Sequence, residues 1–170
     1  MTKVKFSGKY TSVNMRKLPA VFKLVDRHRG WHPWTINIDL GCGAYPSNVT
    51  EYLASKKIYN LPVDPKWGFS IEGHEQIMKI LPVRTVTISN VLNVLKTKKA
   101  RKNILRKAYS SLDIGNVYVT VYEGDKSGMG AVTKPDCWQE NRKTCSYIKE
   151  LGSFFKGVYR WRELLCGGKR

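Results

Sequence analysis

The chain has 170 residues, enough for one domain over residues 1–170, and its 42% hydrophobic and 25% charged residues are typical of a folded globular protein. This composition excludes a disordered chain. With 30 Lys and Arg against 13 Asp and Glu, the net charge is +17, and basic residues concentrate in residues 3–29 and 96–107. Such clustering favours a polyanion, and we expect a nucleic acid partner, DNA or RNA; the alternative is a solvated basic surface.

Membrane insertion and metal binding have no support in the sequence. No apolar run approaches the roughly 20 residues that cross a bilayer, and the first residues lack the apolar centre of a signal peptide. We therefore expect no membrane partner and a cytoplasmic location. The four cysteines show neither a CxxC pair nor histidines at zinc-ligand spacing, so reduced thiols and no metal site are expected.

Strands and helices alternate along most of the chain. Residues 1–30 form a basic lead-in with a predicted helix at 15–29. Strands are predicted at residues 35–41, 58–64, 83–92 and 116–124, and helices between them at 47–57, with Ser47 as N-cap, 72–81 and 98–112. This order predicts an α/β, Rossmann-like fold, in which a mostly parallel sheet carries helices on both faces.

The C-terminal part departs from this alternation. Residues 125–141 are polar and rich in glycine, and a segment of this length predicts a lid or a substrate loop. A short helix is predicted at residues 143–151. Residues 153–161 and 162–166 then predict a C-terminal hairpin that completes the sheet with antiparallel strands.

The first predicted strand ends in the pattern DxGxG, formed by Asp39, Gly41 and Gly43. The glycines permit a tight turn and close approach of a ligand, and the helix that follows offers unpaired N–H groups. Asp64 ends the next strand, so we expect both acids in one crevice, where Asp64 can accept hydrogen bonds from a ribose diol and Asp39 can face an ammonium group. A dinucleotide is the poorer fit, because Pro46 occupies the third glycine position of GxGxxG.

Two segments resemble class I S-adenosylmethionine (SAM)-dependent methyltransferases: DLGCGAYPS is similar to the first motif of that family, and SNVLNVL to its fourth. The match covers roughly residues 35–123. The resemblance implies SAM as cofactor. It implies contacts on the methionine side from Asp39, Gly41, Gly43 and Ala44, and a contact with the ribose from Asp64. It also implies a floor beneath the sulfonium that consists of Ser89, Asn90 and Val91. More loosely, SNVLNVL with VYEGDKSGMG and WQENRKT resembles small methyltransferase-like proteins of phages and mobile elements.

The sequence also departs from the family pattern. Tyr45 stands where the first motif usually has a third glycine, and the segment between residues 64 and 83 leaves little room for the usual third strand. Phe69 and Ile71 are candidates to sandwich the adenine. The signature [DNS]PP[YFW] of base amino-methylation and the Pro-Cys nucleophile of cytosine C5 enzymes are both missing after the third predicted strand, so both chemistries lose support.

The leading hypothesis is a SAM-dependent methyltransferase with a nucleic acid as acceptor. Catalytic candidates at the strand ends are Asn90, Asn93, Tyr122 and Glu123, and candidates for substrate binding are Arg16, Lys17, Trp138 and Arg142. For each residue the alternative is a purely structural role. The alternative function is a catalytically inactive protein that keeps the methyltransferase fold and binds SAM or nucleic acid.

Overall fold

Six strands form the main sheet in the computed structural model, which describes residues 17–169. Four strands run parallel: β1 (Thr35–Leu40), β2 (Ile58–Val63), β3 (Val83–Ser89) and β4 (Gly115–Thr120). A separate pair, β5 (Ala131–Lys134) and β6 (Cys137–Gln139), stands outside this sheet. The hairpin of β7 (Lys156–Trp161) and β8 (Leu164–Lys169) joins β4 antiparallel.

The strand order of the main sheet is β2-β1-β3-β4-β8-β7. From β1 the chain first extends the sheet on one side with β2 and then crosses to the other side with β3. An open α/β sheet binds ligands at this reversal, outside the carboxyl ends of its strands. The predicted α/β, mostly parallel sheet with a C-terminal hairpin is confirmed.

Helices cover both faces of the sheet: α1 (Ala20–Arg27), α2 (Ser47–Ala54), α3 (Glu75–Ile80), α4 (Lys98–Ser111) and α5 (Ile148–Leu151). Apolar side chains of α1 and α2, such as Phe22 and Leu53, form one core cluster with Tyr118 of β4. Leu105 of α4 and Leu151 of α5 belong to the cluster on the opposite face. No helix within residues 17–169 has the length and hydropathy needed to span a bilayer.

Several predicted boundaries were wrong. β3 ends at Ser89, because Asn90 adopts a left-handed φ of 55° and residues 92–94 form a 3-10 turn. Ser47 does not cap α2: Pro46 holds the N-cap position, and the helix has no side-chain cap hydrogen bond there. The first helix begins at Ala20, after Pro19, and residues 15 and 16 lie outside the described part of the chain.

Two other segments also differ from the prediction. Residues 125–141 contain the hairpin of β5 and β6 and are therefore only partly a loop. β8 continues to Lys169, because its main chain pairs with β4 as far as Gly115. Between Asp64 and Val83 the chain forms a 3-10 turn at Pro65–Trp67 and the short helix α3, with an isolated bridge from Asp64 to Phe69.

Candidate active site at the carboxyl edge of the sheet

A glycine turn follows β1 directly. Gly41 and Gly43 have φ values of 77° and 74°, in the left-handed region that costs glycine little. A Cβ atom on Gly41 would overlap Cγ2 of Val91, which follows β3. Gly41 is therefore required twice, once for its backbone conformation and once for the close contact between the ends of β1 and β3.

The Asp64 carboxylate binds this turn to the end of β2. The backbone N–H of Gly43 donates to Oδ2 of Asp64 at 3.1 Å, and the N–H of Lys66 donates to Oδ1 at 3.1 Å. A carboxylate offers about four lone-pair sites, so each oxygen keeps one more acceptor position. Asp64 thus combines a structural role with spare capacity for two donors, the number that a ribose diol provides.

Asp39 lies close to the turn but is enclosed, with 3% of its surface exposed. The hydroxyl of Thr87 donates to its Oδ1 at 3.1 Å. Burial raises the pKa of Asp39 to about 7, against the hydrogen bond from Thr87, and the charge of Asp64 adds to the increase. The two acids therefore lie near each other, but only Asp64 is partly open to solvent. The expectation that Asp39 faces an ammonium group directly is not met, because its carboxyl is enclosed beneath the turn.

Buried polar groups continue from Asp39 across the face of the sheet beneath α1 and α2. Thr87 accepts from Nδ2 of Asn37 at 3.1 Å, and the same Nδ2 donates to Oδ1 of Asn60 at 3.0 Å. Asn60 in turn donates to Thr50 of α2 at 3.2 Å. The sequence signal for this face is a period of two, with polar residues at positions 35, 37 and 39 of β1.

The end of β3 presents an exposed amide. Asn90 has φ 55°, and its backbone N–H donates to the carbonyl oxygen of Thr120 at 2.9 Å. Ser89 and Thr120 place their hydroxyl oxygens 3.4 Å apart. The left-handed residue turns the chain away from the sheet directly beside the glycine turn. Val91 lies against Gly41, so the segment of residues 89–91 adjoins the glycine turn.

Two of the predicted catalytic residues have side chains engaged with the protein. Asn93 is buried and donates from Nδ2 to Oε1 of Gln139 at 3.1 Å. Gln139 donates from Nε2 to the carbonyl oxygen of Tyr122 at 2.9 Å. Glu123 accepts from the backbone N–H of Thr144 at 2.7 Å, and this bond is the main reason that its pKa is lowered. By contrast, Tyr122 has 64% of its surface exposed.

The predicted substrate-binding residues are dispersed. Arg16 lies outside the described residues, and Lys17 is exposed ahead of α1. Trp138 of β6 is half-buried, with Nζ of Lys96 4.8 Å from the centre of its ring. Arg142 donates to Glu150 at 2.9 Å and stacks over the ring of Tyr147. The Arg142 guanidinium is thus committed to protein partners.

A groove opens between α1 and the ends of β3 and β4. Its volume is about 380 Å³, and we call it the α1 groove. Its lining comprises Ala20, Lys23, Leu24, Arg27, Asn90, Thr120, Val121, Tyr122 and Glu163. Sequence reasoning missed Lys23, Arg27 and Glu163, because α1 and the turn before β8 meet only through the order of the strands.

A second basic surface lies on α4, which covers the opposite face of the sheet. A shallow depression there is lined by Lys98, Lys99, Lys102, Asn103 and Arg106, and we call it the α4 basic patch. Because α4 follows β3 and returns antiparallel to it, its first turn lies toward the carboxyl edge. Across residues 17–169 there is no group of three His, Cys, Asp or Glu side chains able to hold a metal ion.

The sequence matches no protein-family model and no curated protein. Among solved structures, PigF with SAH is similar over 84% of this chain, at 15% identity and a TM-score of 0.48. The chain spans about half of PigF, 53% of its length. The sugar N-methyltransferase KedS8 from Streptoalloteichus sp. is similar over 95% of this chain and 97% of its own, at 13% identity and a TM-score of 0.49. Likenesses this distant assign no family and no activity.

Proposed function

We propose that the chain is a SAM-dependent methyltransferase that acts on a nucleic acid. The observation that carries the proposal is the hydrogen bond of 3.1 Å from the Gly43 N–H to Asp64, which joins the glycine turn to the acid at the end of β2. This junction lies at the reversal of strand order, where open α/β sheets bind their ligands.

The residues at this edge fit the groups of SAM. Asp64 has an acceptor position left on each carboxylate oxygen for the two ribose hydroxyls. Gly41, Gly43 and Ala44 would line the methionine side; Gly41 and Ala44 are partly exposed, whereas Gly43 is buried. Asp39 would support that side from beneath the turn, since its own carboxyl is enclosed.

The floor beneath the sulfonium would consist of Ser89, Asn90 and Val91. When bound, SAM would supply a methyl group on a positively charged sulfonium, from which a neutral thioether is a good leaving group. The protein then has to bind and orient the acceptor more than to move protons. Asn90 and Tyr122 have exposed side chains at the ends of β3 and β4, and we assign them the contacts with the acceptor.

The remaining catalytic candidates act as positioning residues in this proposal. Asn93, through Gln139, holds the backbone of Tyr122, and Glu123 holds the segment that begins at Thr144. Arg142, paired with Glu150, fixes the same segment. Trp138, with Lys96 over its ring, is the substrate-loop residue with a partly exposed aromatic surface.

A nucleic acid suits the charge of the protein. The net charge of +17 attracts polyanions, and the α4 basic patch carries four lysine or arginine side chains around one depression. Lys17 precedes α1 on the other face of the sheet, and Arg16 is its neighbour in the sequence. A nucleic acid bound at the carboxyl edge would have cations on both sides.

The second candidate is a protein that binds SAM or nucleic acid without methyl transfer. It is favoured by the engagement of Asn93 and Glu123 in structural hydrogen bonds, which leaves few side chains for chemistry. Either function suits the cytoplasm, since all four cysteines are free, as in a reducing compartment. The relation to small proteins of phages and mobile elements is part of the proposal and rests on the sequence motifs alone.

Incubation with methyl-labelled SAM and separated DNA, RNA, protein and small-molecule fractions tests the proposal. We expect label in a nucleic-acid fraction and a large loss of label for Asn90→Gly, which keeps the left-handed backbone and removes the amide. SAM binding without label in any fraction would favour the second candidate. Label confined to protein or small molecules would contradict the nucleic-acid acceptor.

A further inference from the structure

We infer that the α1 groove binds one unpaired nucleotide of a single-stranded nucleic acid, with the base on Tyr122 and the flanking phosphates on Lys23 and Arg27. This inference rests on the proposed function, because it assigns the acceptor class and the acceptor subsite of the same active site. It uses residues that the sequence motifs do not include.

The cations of the groove form one wall. Lys23 and Arg27 are four residues apart on α1, so they stand on one face of the helix, about 6 Å apart along its axis. Neither residue forms an ion pair with another residue in the part of the chain that the structure describes. Two charges at this spacing can contact successive phosphates of an extended strand.

The aromatic surface lies at the end of β4. Tyr122 is 64% exposed and lines the same groove as the two cations. Its backbone is fixed, because Gln139 donates to its carbonyl oxygen at 2.9 Å. An exposed ring on a fixed backbone is the kind of platform on which proteins stack the bases of single strands.

The remaining lining residues define a polar end. Glu163 precedes β8 and can accept a hydrogen bond from an amino group of a base, and the Asn90 amide can donate or accept. Asn90 also adjoins Val91 and the glycine turn, so a base on Tyr122 lies toward the cofactor side of the groove. The groove therefore joins a phosphate wall to the proposed site of methyl transfer.

The size of the groove favours a single nucleotide. A volume of about 380 Å³ is at the low end of the range for small-molecule sites. A duplex would have to extrude a base to reach Tyr122 and would lose stacking and pairing energy, whereas an unpaired base avoids that cost. The α4 basic patch, near the same edge on the opposite face, can hold the continuing strand.

Fluorescence anisotropy with labelled single strands of about 12 nucleotides, DNA and RNA in separate arms, and with the matching duplexes tests the inference. We expect at least one type of single strand to bind more tightly than its duplex. The Lys23→Ala/Arg27→Ala variant should lower the slope of log affinity against log salt by about 1.4, the value for two lost phosphate contacts on a single strand.

A matched control removes two exposed lysines elsewhere, Lys79 of α3 and Lys149 of α5. The Lys79→Ala/Lys149→Ala variant changes the net charge equally and should leave most of the affinity and slope intact. Equal losses in the two variants would overturn the inference, because binding would then depend on charge alone. Duplex binding as tight as that of both single strands would also overturn it.

Tyr122 variants test the stacking contact separately. Tyr122→Ala should weaken single-strand binding about 5- to 100-fold, and Tyr122→Phe should restore most of it. If Phe is as weak as Ala, the ring is not a platform. Calorimetry with SAM keeps the two hypotheses apart. If the wild type binds SAM but its single-strand binding does not depend on the groove residues, only this inference is overturned. If single-strand binding depends on the groove residues but the wild type does not bind SAM, only the methyltransferase proposal is overturned.

Discussion

Arg101 donates from Nε to a carboxylate oxygen of Glu150 at 2.9 Å, which joins α4 to α5 inside the protein. The same guanidinium donates from Nη1 to Glu140 at 2.7 Å and to the carbonyl oxygen of Leu95 at 2.8 Å. Because Arg142 also pairs with Glu150, one buried network fastens the segment after β6 to α4. That segment directly follows Gln139, the last residue of β6, which holds the backbone of Tyr122.

Glu150→Gln should lower the free energy of unfolding by about 3 kcal/mol, because it leaves two guanidinium groups without the carboxylate between them. Urea unfolding at pH 7 measures the change. Glu51→Gln, on the exposed side of α2, is the control and should stay within about 0.5 kcal/mol of the wild type. Equal stabilities of the two variants would show that the network contributes little.

The same network predicts sensitivity to acid. Burial alone would raise the pKa of Glu150, but Arg101 and Arg142 lower it below the usual 4.5. The stabilisation is therefore complete above pH 4.5 and is lost as the pH falls toward the lowered pKa. Between pH 6 and pH 3, the free energy of unfolding should decrease less in Glu150→Gln than in the wild type. An equal decrease in both proteins would contradict this assignment.

Asp39 should affect stability in the opposite direction. Its pKa is about 7 in the fold and 3.8 when exposed, so the folded state holds a proton that the unfolded state releases between these values. Stability should fall as the pH rises from 3.8 to about 7. Asp39→Asn should remove this fall. Between pH 4 and pH 8, the free energy of unfolding should therefore fall by roughly 2–4 kcal/mol less in the variant than in the wild type. A fall of unchanged size in the variant would contradict the shifted pKa.

Gly41→Ala should destabilise the glycine turn for two separable reasons: the left-handed φ and the overlap with Val91. We expect a loss of about 2 kcal/mol or more. Gly41→Ala/Val91→Ala should lose less than the sum of the two single variants, because the contact is removed while the backbone strain of roughly 1 kcal/mol stays. Strict additivity in urea unfolding would show that the two residues do not interact.

Local patterns in the sequence predict the sheet and the glycine turn well. Strands buried on both faces appear as runs of β-branched and apolar residues. The glycines at positions 41 and 43 indicate a turn directly after the first strand. The carboxyl ends of β1 and β2 then meet at one edge of the sheet because the two strands are parallel. The amino-acid pattern by itself therefore predicts that Asp64 lies close to the glycine turn.

Contacts between distant segments could not be predicted in this way. Arg101 shares the core-facing stripe of α4 with Leu105 and Ala108, an unusual position for a charge, but its partners lie 39 and 49 residues further along the chain. The hairpin in residues 125–141 escaped prediction because all four residues of β5 are exposed and show no alternation of burial. Both features depend on tertiary packing, which local periodicity does not report.

Calorimetric titration of SAM into the wild type, Asp64→Asn and Asp136→Asn tests whether the chain binds SAM through the Asp64 carboxylate. Asp136 is an exposed acid with a left-handed φ of 62°, a conformation that asparagine accepts, so its variant controls for the loss of one carboxylate. We predict saturable binding to the wild type and to Asp136→Asn, and binding about 10- to 100-fold weaker to Asp64→Asn, because hydrogen bonds to a charged group are lost. No binding to the wild type, or equal affinity in all three proteins, would contradict the account.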